Sequence, residues 1–499
     1  MSAVPPTVRL APDELAGAVG ERVAGGRRFA GLVASGDDAG STILRAFIAG
    51  GPSFEVVETE LPAGVSEYPS LTPSVPAASW YEREIHDLYG ITPAGHPRLD
   101  PLVLPLAGTD RAHPRPGSST AVGQLTLDRS PLPAHVTGEG LFTIPYGPVR
   151  SGVFESVEYL VESYGEDIPH LRTRVYYKHR GIERRFSDLR IRDGVLLAER
   201  VEGTASVAHA VAFCQAVESL TGVDPTPAAD LVRVVHLELE RVACHLDSVI
   251  RHTEGSGQAV AYARMSLHKE RLMRLRARLC GHRFGRGVAV PGGVSGPLLL
   301  EPADALAGIE ALEEAIAKDM AVLMQTPSFL DRLRSTGTLP SDVAEIHGAL
   351  GPVGRGSGVV NDVREDRPYG GYRLLGVDVA EPEPAGDALA RQRVRLEEIS
   401  SSFSLVRRAL DELSASRAEP TWCRDMPEAD GLGVGWVEAP QGELLYLVEV
   451  RRGRIIRTAP RTASFHNLAL MPQAFRGDIL TDFVFIEASF GLSMAGVAR

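Results

Sequence analysis

The sequence predicts an α+β protein, with a small N-terminal α/β domain followed by a mainly helical domain that carries flanking β-sheet elements. Three observations predict it. Up to about residue 105, short β-rich stretches such as STILRAFIAG and SFEVVETEL alternate with helical ones. From Ser206 onward, apolar residues recur at helical spacing over long segments. After Gly431 the pattern becomes strand-like again.

Taken in order, residues 1–110 form the first unit. It contains the charged amphipathic helix YEREIHDLYG, ended by Gly90, whose plain reading is a surface helix with solvated charges. Residues 111–140 are expected to be a linker, its composition beginning with PLAGTDRAHPRPGSSTAVG from Pro105. The second unit, 141–499, opens with strand-like segments and then predicts helices over 206–221, 227–253, 259–282, 303–324 and 386–415. Pro227 and Pro302 stand at helix entrances, where a missing N–H costs little. GVGWVEA and GELLYLVEVRRGRIIRTA read as strands, with RRGR as a hairpin turn. A short helix and the segment ILTDFVFIEASFGLSMAGVAR follow, and no internal repeat is visible.

Bulk composition narrows the function. At 499 residues the chain is too long for one ordinary domain, and 44% hydrophobic with 23% charged residues describes a globular protein with sizeable cores. A net charge of −12 excludes nucleic acid as a partner, because phosphate binding needs clustered Lys and Arg. The N-terminus lacks the basic start and apolar run of a signal peptide. No stretch approaches the ~20 apolar residues of a membrane span, so association with a membrane is expected through other subunits. Cys214, Cys244, Cys280 and Cys423 are scattered without a CxxC and read as buried thiols in a reduced cytoplasm, not as iron–sulfur ligands. No GxGxxG joins a strand to a helix, so NAD is expected only on another subunit.

Two blocks carry a resemblance. WYEREIHDLYGITPAGHP, from Trp80, resembles the signature of the C-type subunit of complex I, the NADH:quinone oxidoreductase, at matching spacing. In that family the domain is structural, which assigns Glu82, Arg83, Glu84 and Asp87 to scaffold and interface contacts. From about Ile144 onward the chain resembles the D-type subunit of complex I and the large subunit of membrane-bound NiFe hydrogenases of the formate hydrogenlyase type. The segments are GPVRSGVFES, YYKHRGIERRF, RVVHLELERVACHLDSV, GHRFGRGVAVPGGV, GRGSGVVNDVREDRPYGGY, GDALARQRVRLEEI, EAPQGEL and RTASFHNL, in that order.

The resemblance also exposes what is missing. In those hydrogenases two CxxC pairs hold nickel and iron, and the matching positions here are Glu202, Ala205, Ser493 and Gly496. One carboxylate and one hydroxyl cannot replace four soft thiolates, so no metal is expected. The chain's V-x-R ending resembles that of the complex I D-type subunit. In complex I a Tyr on the turn before the helix and a His on an N-terminal hairpin are thought to contact quinone. Here Gly203 and Arg150 stand at those places, and Gly203 and Ser493 become cavity positions.

Glu155 matches a hydrogenase glutamate that relays protons, and His209 matches a His on the first helix of both families. Arg150, Glu202, Asp362 and Arg364 should converge on the same cavity, where a buried carboxylate suits a proton carrier. Arg241, Arg283 and Glu398 are expected to tie helices together. The resemblance implies a subunit of a membrane-associated oxidoreductase, cytoplasmic and peripheral on the inner face of the membrane. It would work with a small Fe-S subunit like the B-type one of complex I, a ferredoxin-like subunit and membrane-embedded antiporter-like subunits. The chain itself would bind no cofactor. Quinone is the expected acceptor, with a non-catalytic coupling scaffold as the alternative and an active NiFe hydrogenase disfavoured by the missing cysteines.

Overall fold

The computed structural model describes residues 5–106, 113–118, 128, 138–150, 155–415 and 421–499. Most of the expected 111–140 linker lies outside these residues, as does Ser151–Phe154 of the GPVRSGVFES segment.

The N-terminal unit contains β1 (Thr7–Leu10), α1 (Leu15–Ala24), β2 (Arg28–Gly36), β3 (Thr42–Ala49), β4 (Phe54–Leu61) and α2 (Ser79–Tyr89). Its sheet has the order β1-β4-β3-β2, with β1 parallel to β4 and the other pairs antiparallel. Helix α2 lies against β2 and ends at Gly90, whose φ of 72° is the left-handed conformation that glycine adopts without strain. The charges of α2 are not solvated, contrary to the plain amphipathic reading: Glu82, Glu84 and Asp87 are all buried. Glu82 accepts from Ser70 Oγ and Thr72 Oγ1, both at 2.6 Å, and from the Leu71 and Thr72 amides. Asp87 accepts from the amides of Leu102, Val103 and Leu104. Arg83 donates to the carbonyls of Asp100 and Pro101. These three pin loops of their own unit, whereas Glu84 reaches across to Arg499 at 3.0 Å. A buried polar group must be paired, and the signature spacing is the pattern of that pairing.

The second unit opens with an antiparallel sheet of β5 (Phe142–Tyr146), β6 (Glu158–Ser163) and β7 (His170–Arg174). Five long helices follow: α3 (Ser206–Thr221), α4 (Pro227–Gly255), α5 (Ala259–Cys280), α6 (Pro302–Leu323) and α7 (Ala388–Ala415). All five match the periodicity of the sequence to within two residues at each end. Thr226 caps α4 by accepting from the Ala229 amide, and Pro227 opens the helix. An antiparallel sheet of β8 (Gly431–Ala439), β9 (Gly442–Arg451) and β10 (Arg454–Arg461) comes next. Its second hairpin turns on Arg452 and Gly453, both at positive φ (53° and 67°), which matches the right-handed twist of the flanking strands. The chain closes with α8 (Ala463–Leu468), α9 (Phe483–Phe490) and α10 (Met494–Val497).

Helix α3 is buried nearly all round and rich in alanine, and it lies directly on β8. The glycines of GLGVGW make this approach possible. A β-carbon on Gly433 would fall 1.9 Å from the Ala216 carbonyl oxygen, and one on Gly435 would fall 2.1 Å from that of Ala212. The strand thus meets the helix backbone to backbone, which fixes the start of α3 over β9.

The two units share one apolar interior. Ala30, Phe47, Phe54 and Val56 pack into the same cluster as α3, α4 and β9. Phe54 meets Trp436 edge-on at 5.4 Å, Arg28 pairs with Glu443 at 2.5 Å, and Tyr81 hydrogen-bonds His466 at 2.9 Å. Among the described residues, no helix is long and apolar enough to cross a membrane. The four cysteines are free, but only Cys214 is fully buried; Cys244 and Cys280 are half-buried and Cys423 is exposed, against the expectation of four buried thiols. Cys423 sits in the segment before β8, beside a short bridge to Gly293, and no apolar layer covers it.

Candidate functional site

The site forms where the turn 202–205 enters α3. The first amides of a helix have no partner within the helix, and Ala205, at the cap position, offers no side chain to satisfy them. Glu240, from α4, supplies the acceptors instead: its two oxygens each take one amide, from Val207 and Ala208, at 2.9 Å. Burial pushes Glu240 up to about 7, against the pull of Arg276 and of the two amides. A second helix therefore holds the turn in place.

Glu202 is 3% exposed, and its Oε1 lies 3.3 Å from Nε2 of His209. Neither Oε2 of Glu202 nor Nε2 of His209 has a hydrogen-bond partner of good geometry. On its other ring nitrogen, Nδ1, His209 meets the hydroxyl of Tyr446 on β9 at 2.6 Å. Carboxylate, imidazole and phenol thus stand in sequence, the last two fully buried.

Opposite Glu202 lies the segment 493–496, held by several groups. Thr462 Oγ1 donates to the Gly496 carbonyl at 2.7 Å, and the Ser464 hydroxyl accepts from the Ser493 amide at 3.1 Å. Arg180 donates to the carbonyls of Val201 and Ala495, stapling the turn to this segment. Glu155 Oε2 accepts from Ser493 Oγ at 3.1 Å and from the Ala495 amide at 3.0 Å. Its Oε1 lies 3.8 Å from Lys178 Nζ, and the side chain retains 36% of its accessible surface. Segment 493–496 therefore separates a half-exposed carboxylate, Glu155, from a buried one, Glu202.

The structure brings Glu155, Glu202, His209 and Ser493 together, along with Ala205 and Gly496. Gly203 is exposed on the turn, and a β-carbon there would meet nothing within 4 Å. Arg150, by contrast, is committed to Glu487 of α9 through two 2.8 Å bonds, with its guanidinium 5.3 Å from the ring centres of both Tyr146 and Tyr159. Asp362 and Arg364 pair with each other at 2.7 Å in a separate network between α4 and α7. Arg364 also reaches Glu238 at 3.2 Å, and Arg355 joins Asp362, Glu398 and Glu438. Burial opposes ionisation of Glu238, but Arg241 and Arg364 outweigh it and hold the carboxyl at about 2. Burial and the neighbouring Asp362 push Glu438 up to about 8. Arg241 and Glu398 approach to 3.7 Å and join the two helices, whereas Arg283 pairs with Glu270 on the surface.

The donor set beside the turn does not fit a nickel–iron centre. Positions 202, 205, 493 and 496 offer a carboxylate, a methyl group, a hydroxyl and no side chain at all, and soft thiolates are what such a centre needs. The carboxylate also fills the space: a β-carbon on Gly496 would lie 2.0 Å from Glu202 Oε2. Among the described residues, no three His, Cys, Asp or Glu side chains are grouped to hold a metal ion.

Several site residues escape a reading of the sequence. Tyr446 lies two positions beyond the EAPQGEL segment on a strand that is buried on both faces, so alternation gives no hint of which face it serves. The capping role of Glu240 depends on the packing of α4 beside α3, and Glu487 is met by Arg150 only through the fold.

An α/β unit of the complex I C type, set on a helical body of the NiFe-hydrogenase large-subunit type, defines a fused subunit of the complex I and membrane-bound hydrogenase superfamily. Comparison with known proteins agrees. The family model described as respiratory-chain NADH dehydrogenase, 49 Kd subunit, matches residues 256–429 and 421–499, and that of the 30 Kd subunit matches 53–115. The chain is 32% identical to the carbon monoxide-induced hydrogenase of Rhodospirillum rubrum over 62% of this chain and 85% of that protein. It is 28% identical to formate hydrogenlyase subunit 5 of Escherichia coli over 87% of this chain and 77% of that protein. It is also 28% identical to the C/D subunit of the NADH-quinone oxidoreductase of Gluconacetobacter diazotrophicus, over 93% and 84% respectively. The chain belongs to the family that unites complex I 49 kDa subunits with the subunits of membrane-bound hydrogenases, and it carries a 30 kDa-type domain in front.

Proposed function

We propose that the chain forms, with a small Fe-S subunit, the electron-acceptor and proton-uptake site of a membrane-associated oxidoreductase, and that it works without a nickel–iron centre. The observation that carries this reading is a carboxylate, Glu202, at one of the expected thiolate positions, leading on to the imidazole of His209 and the phenol of Tyr446, with Glu155 on the outer side of segment 493–496. Such groups hold and pass protons, whereas a nickel–iron centre has no ligands here.

Quinone is the acceptor this chemistry suits. Its reduction to quinol takes two electrons and two protons. The electrons would come from a cluster on the small subunit, one at a time. This chain would supply protons from Glu202, backed by His209, with the half-exposed Glu155 beyond segment 493–496 next in line toward solvent. Gly203 leaves the turn without a phenol, so the acceptor would be held by other walls of the cavity. Further partners in this reading are a ferredoxin-like subunit and membrane-embedded antiporter-like subunits. The complex would sit on the inner face of the cell membrane, and NAD would enter only through another subunit.

One observation favours a second reading. Glu202 and His209 are buried at 3% and 0% exposure among the described residues, so a substrate would reach them only if those residues part to admit it. A coupling scaffold that keeps the fold without the chemistry would have such a closed site. The experiment that separates these readings from an unrelated role is affinity purification in mild detergent from the native host, followed by mass spectrometry and metal analysis. Co-purification of a small Fe-S subunit and antiporter-like subunits, with no nickel, is expected. A chain that comes out alone contradicts both readings.

A further inference from the structure

Tyr446 adds something that the family resemblance does not. Its ring is fully buried on β9 and stands edge-on both to His209, with ring centres 5.5 Å apart at 85°, and to Phe213, at 6.3 Å and 88°. Among the described residues, His209 Nδ1, at 2.6 Å, is the one hydrogen-bond partner of its hydroxyl. Two arrangements of the protons can make that bond. If Nδ1–H donated, the phenolic proton would have no acceptor in the interior, and burying an unsatisfied hydroxyl costs about 1–3 kcal/mol. The bare Nε2 would then also point its lone pair at Oε1 of Glu202, 3.3 Å away, a repulsion whenever that carboxyl has given up its proton. If the hydroxyl donates, the first penalty vanishes and the second becomes an attraction: Nδ1 accepts, Nε2 carries the proton, and that proton lies on the side of the carboxylate, 3.3 Å from Oε1 though not aligned as a hydrogen bond.

We propose that Tyr446 is a positioning residue: its hydroxyl donates to Nδ1 of His209 and fixes the imidazole in the tautomer whose Nε2 proton faces Glu202. The tautomer follows from the geometry alone; its service in proton delivery rests on the reading given under Proposed function. When Glu202 gives up a proton, the Nε2 proton of neutral His209 stays on the ring and faces the carboxylate left behind, stabilising it, and Tyr446 keeps that proton on this side of the ring.

The test is nitrogen-15 NMR of the intact complex labelled at histidine, with the His209 signal identified by its loss in His209→Gln. The wild type is expected to show Nε2 protonated and Nδ1 as a hydrogen-bonded acceptor. Tyr446→Phe keeps the ring and its packing but removes the donor, and the signal should move to the other tautomer or to a mixture. A wild-type signal protonated at Nδ1, or a Tyr446→Phe spectrum unchanged from wild type, overturns the assignment. Turnover is read separately. If the functional reading holds, Tyr446→Phe should slow turnover by about tenfold, the scale of one lost buried hydrogen bond. Predicted tautomers together with unchanged turnover in both Tyr446→Phe and Glu202→Gln would leave the assignment standing and overturn the role in proton delivery.

Discussion

The carboxylate of Glu202 lies against the backbone of Gly496, so close that a β-carbon on residue 496 would stand 2.0 Å from Oε2. The two residues come from opposite ends of the second unit, and each occupies a position at which the hydrogenase relatives are expected to carry a cysteine. The glycine makes room, and the carboxylate occupies it.

Replacing that glycine should therefore disturb Glu202 before anything else. Gly496→Ala is expected to destabilise the protein by about 1–3 kcal/mol, the usual range for overpacking, read as a lower Tm. Gly203→Ala, on the open side of the same turn, meets nothing within 4 Å and should leave the Tm unchanged.

The capping contact of Glu240 gives a pH dependence with a definite sign. Its carboxyl, at about 7 in the folded protein against an ordinary 4.5, keeps a proton there that the unfolded chain has lost. The resulting stabilisation is complete below about pH 4.5 and is lost as the pH rises through about 7. A shift of this size corresponds to about 3 kcal/mol. Glu240→Gln does not titrate; its carbonyl can accept from only one of the two amides, so it starts from a lower stability that does not change with pH through this group. Urea unfolding at a series of pH values should show the wild type losing stability relative to the variant between those limits.

Glu443 should behave in the opposite way. Burial opposes its ionisation, but Arg28, Arg461 and Arg367 outweigh it and hold the carboxyl well below the usual range. Arg28 belongs to β2 and Glu443 to β9, so this anion helps to join the two units. Glu443→Ala would leave the buried guanidinium groups of Arg461 and Arg367 and the half-buried one of Arg28 without their anion, with an expected loss of about 3–5 kcal/mol. The stabilisation from the wild-type pair is complete above the ordinary glutamate value. It shrinks below that value as the unfolded chain takes up a proton that the folded carboxyl refuses, and is gone once acid protonates the folded carboxyl too. Thermal unfolding at neutral pH and at about pH 3 should show the gap between wild type and variant narrowing in acid.

Much of this architecture was legible in the sequence, for physical reasons that differ between regions. The long helices α3 to α7 declare themselves because each buries a face at helical spacing, and β8 to β10 do so through β-branched and apolar runs around a turn containing Gly453. The charges of α2 misled: YEREIHDLY has the composition of a solvated face, yet Glu82 and Asp87 are sinks for loop amides. Spacing along one helix cannot reveal acceptors that serve another segment. The same limit applies at the site. The matches at 202, 205, 493 and 496 located the turn and the segment opposite it, and Glu155 and His209 fall beside them. Arg150 shares a motif with Glu155, and Asp362 and Arg364 fall in another resembling segment, but Glu487 and Glu238 draw them into other ion pairs. Tyr446 was invisible, because its partner is 237 residues away in sequence.

The measurement that tests the central claim most directly is quinone reduction by the purified complex, driven by reduced methyl viologen, in wild type and Glu202→Gln. Glutamine keeps the size of the side chain and its contact with Gly496 but cannot release a proton. Turnover lower by about tenfold or more, the low end of what a positioned proton donor contributes, with subunit composition and cluster content unchanged, is the result expected. Equal turnover in the two complexes would contradict the account and leave the chain as a scaffold.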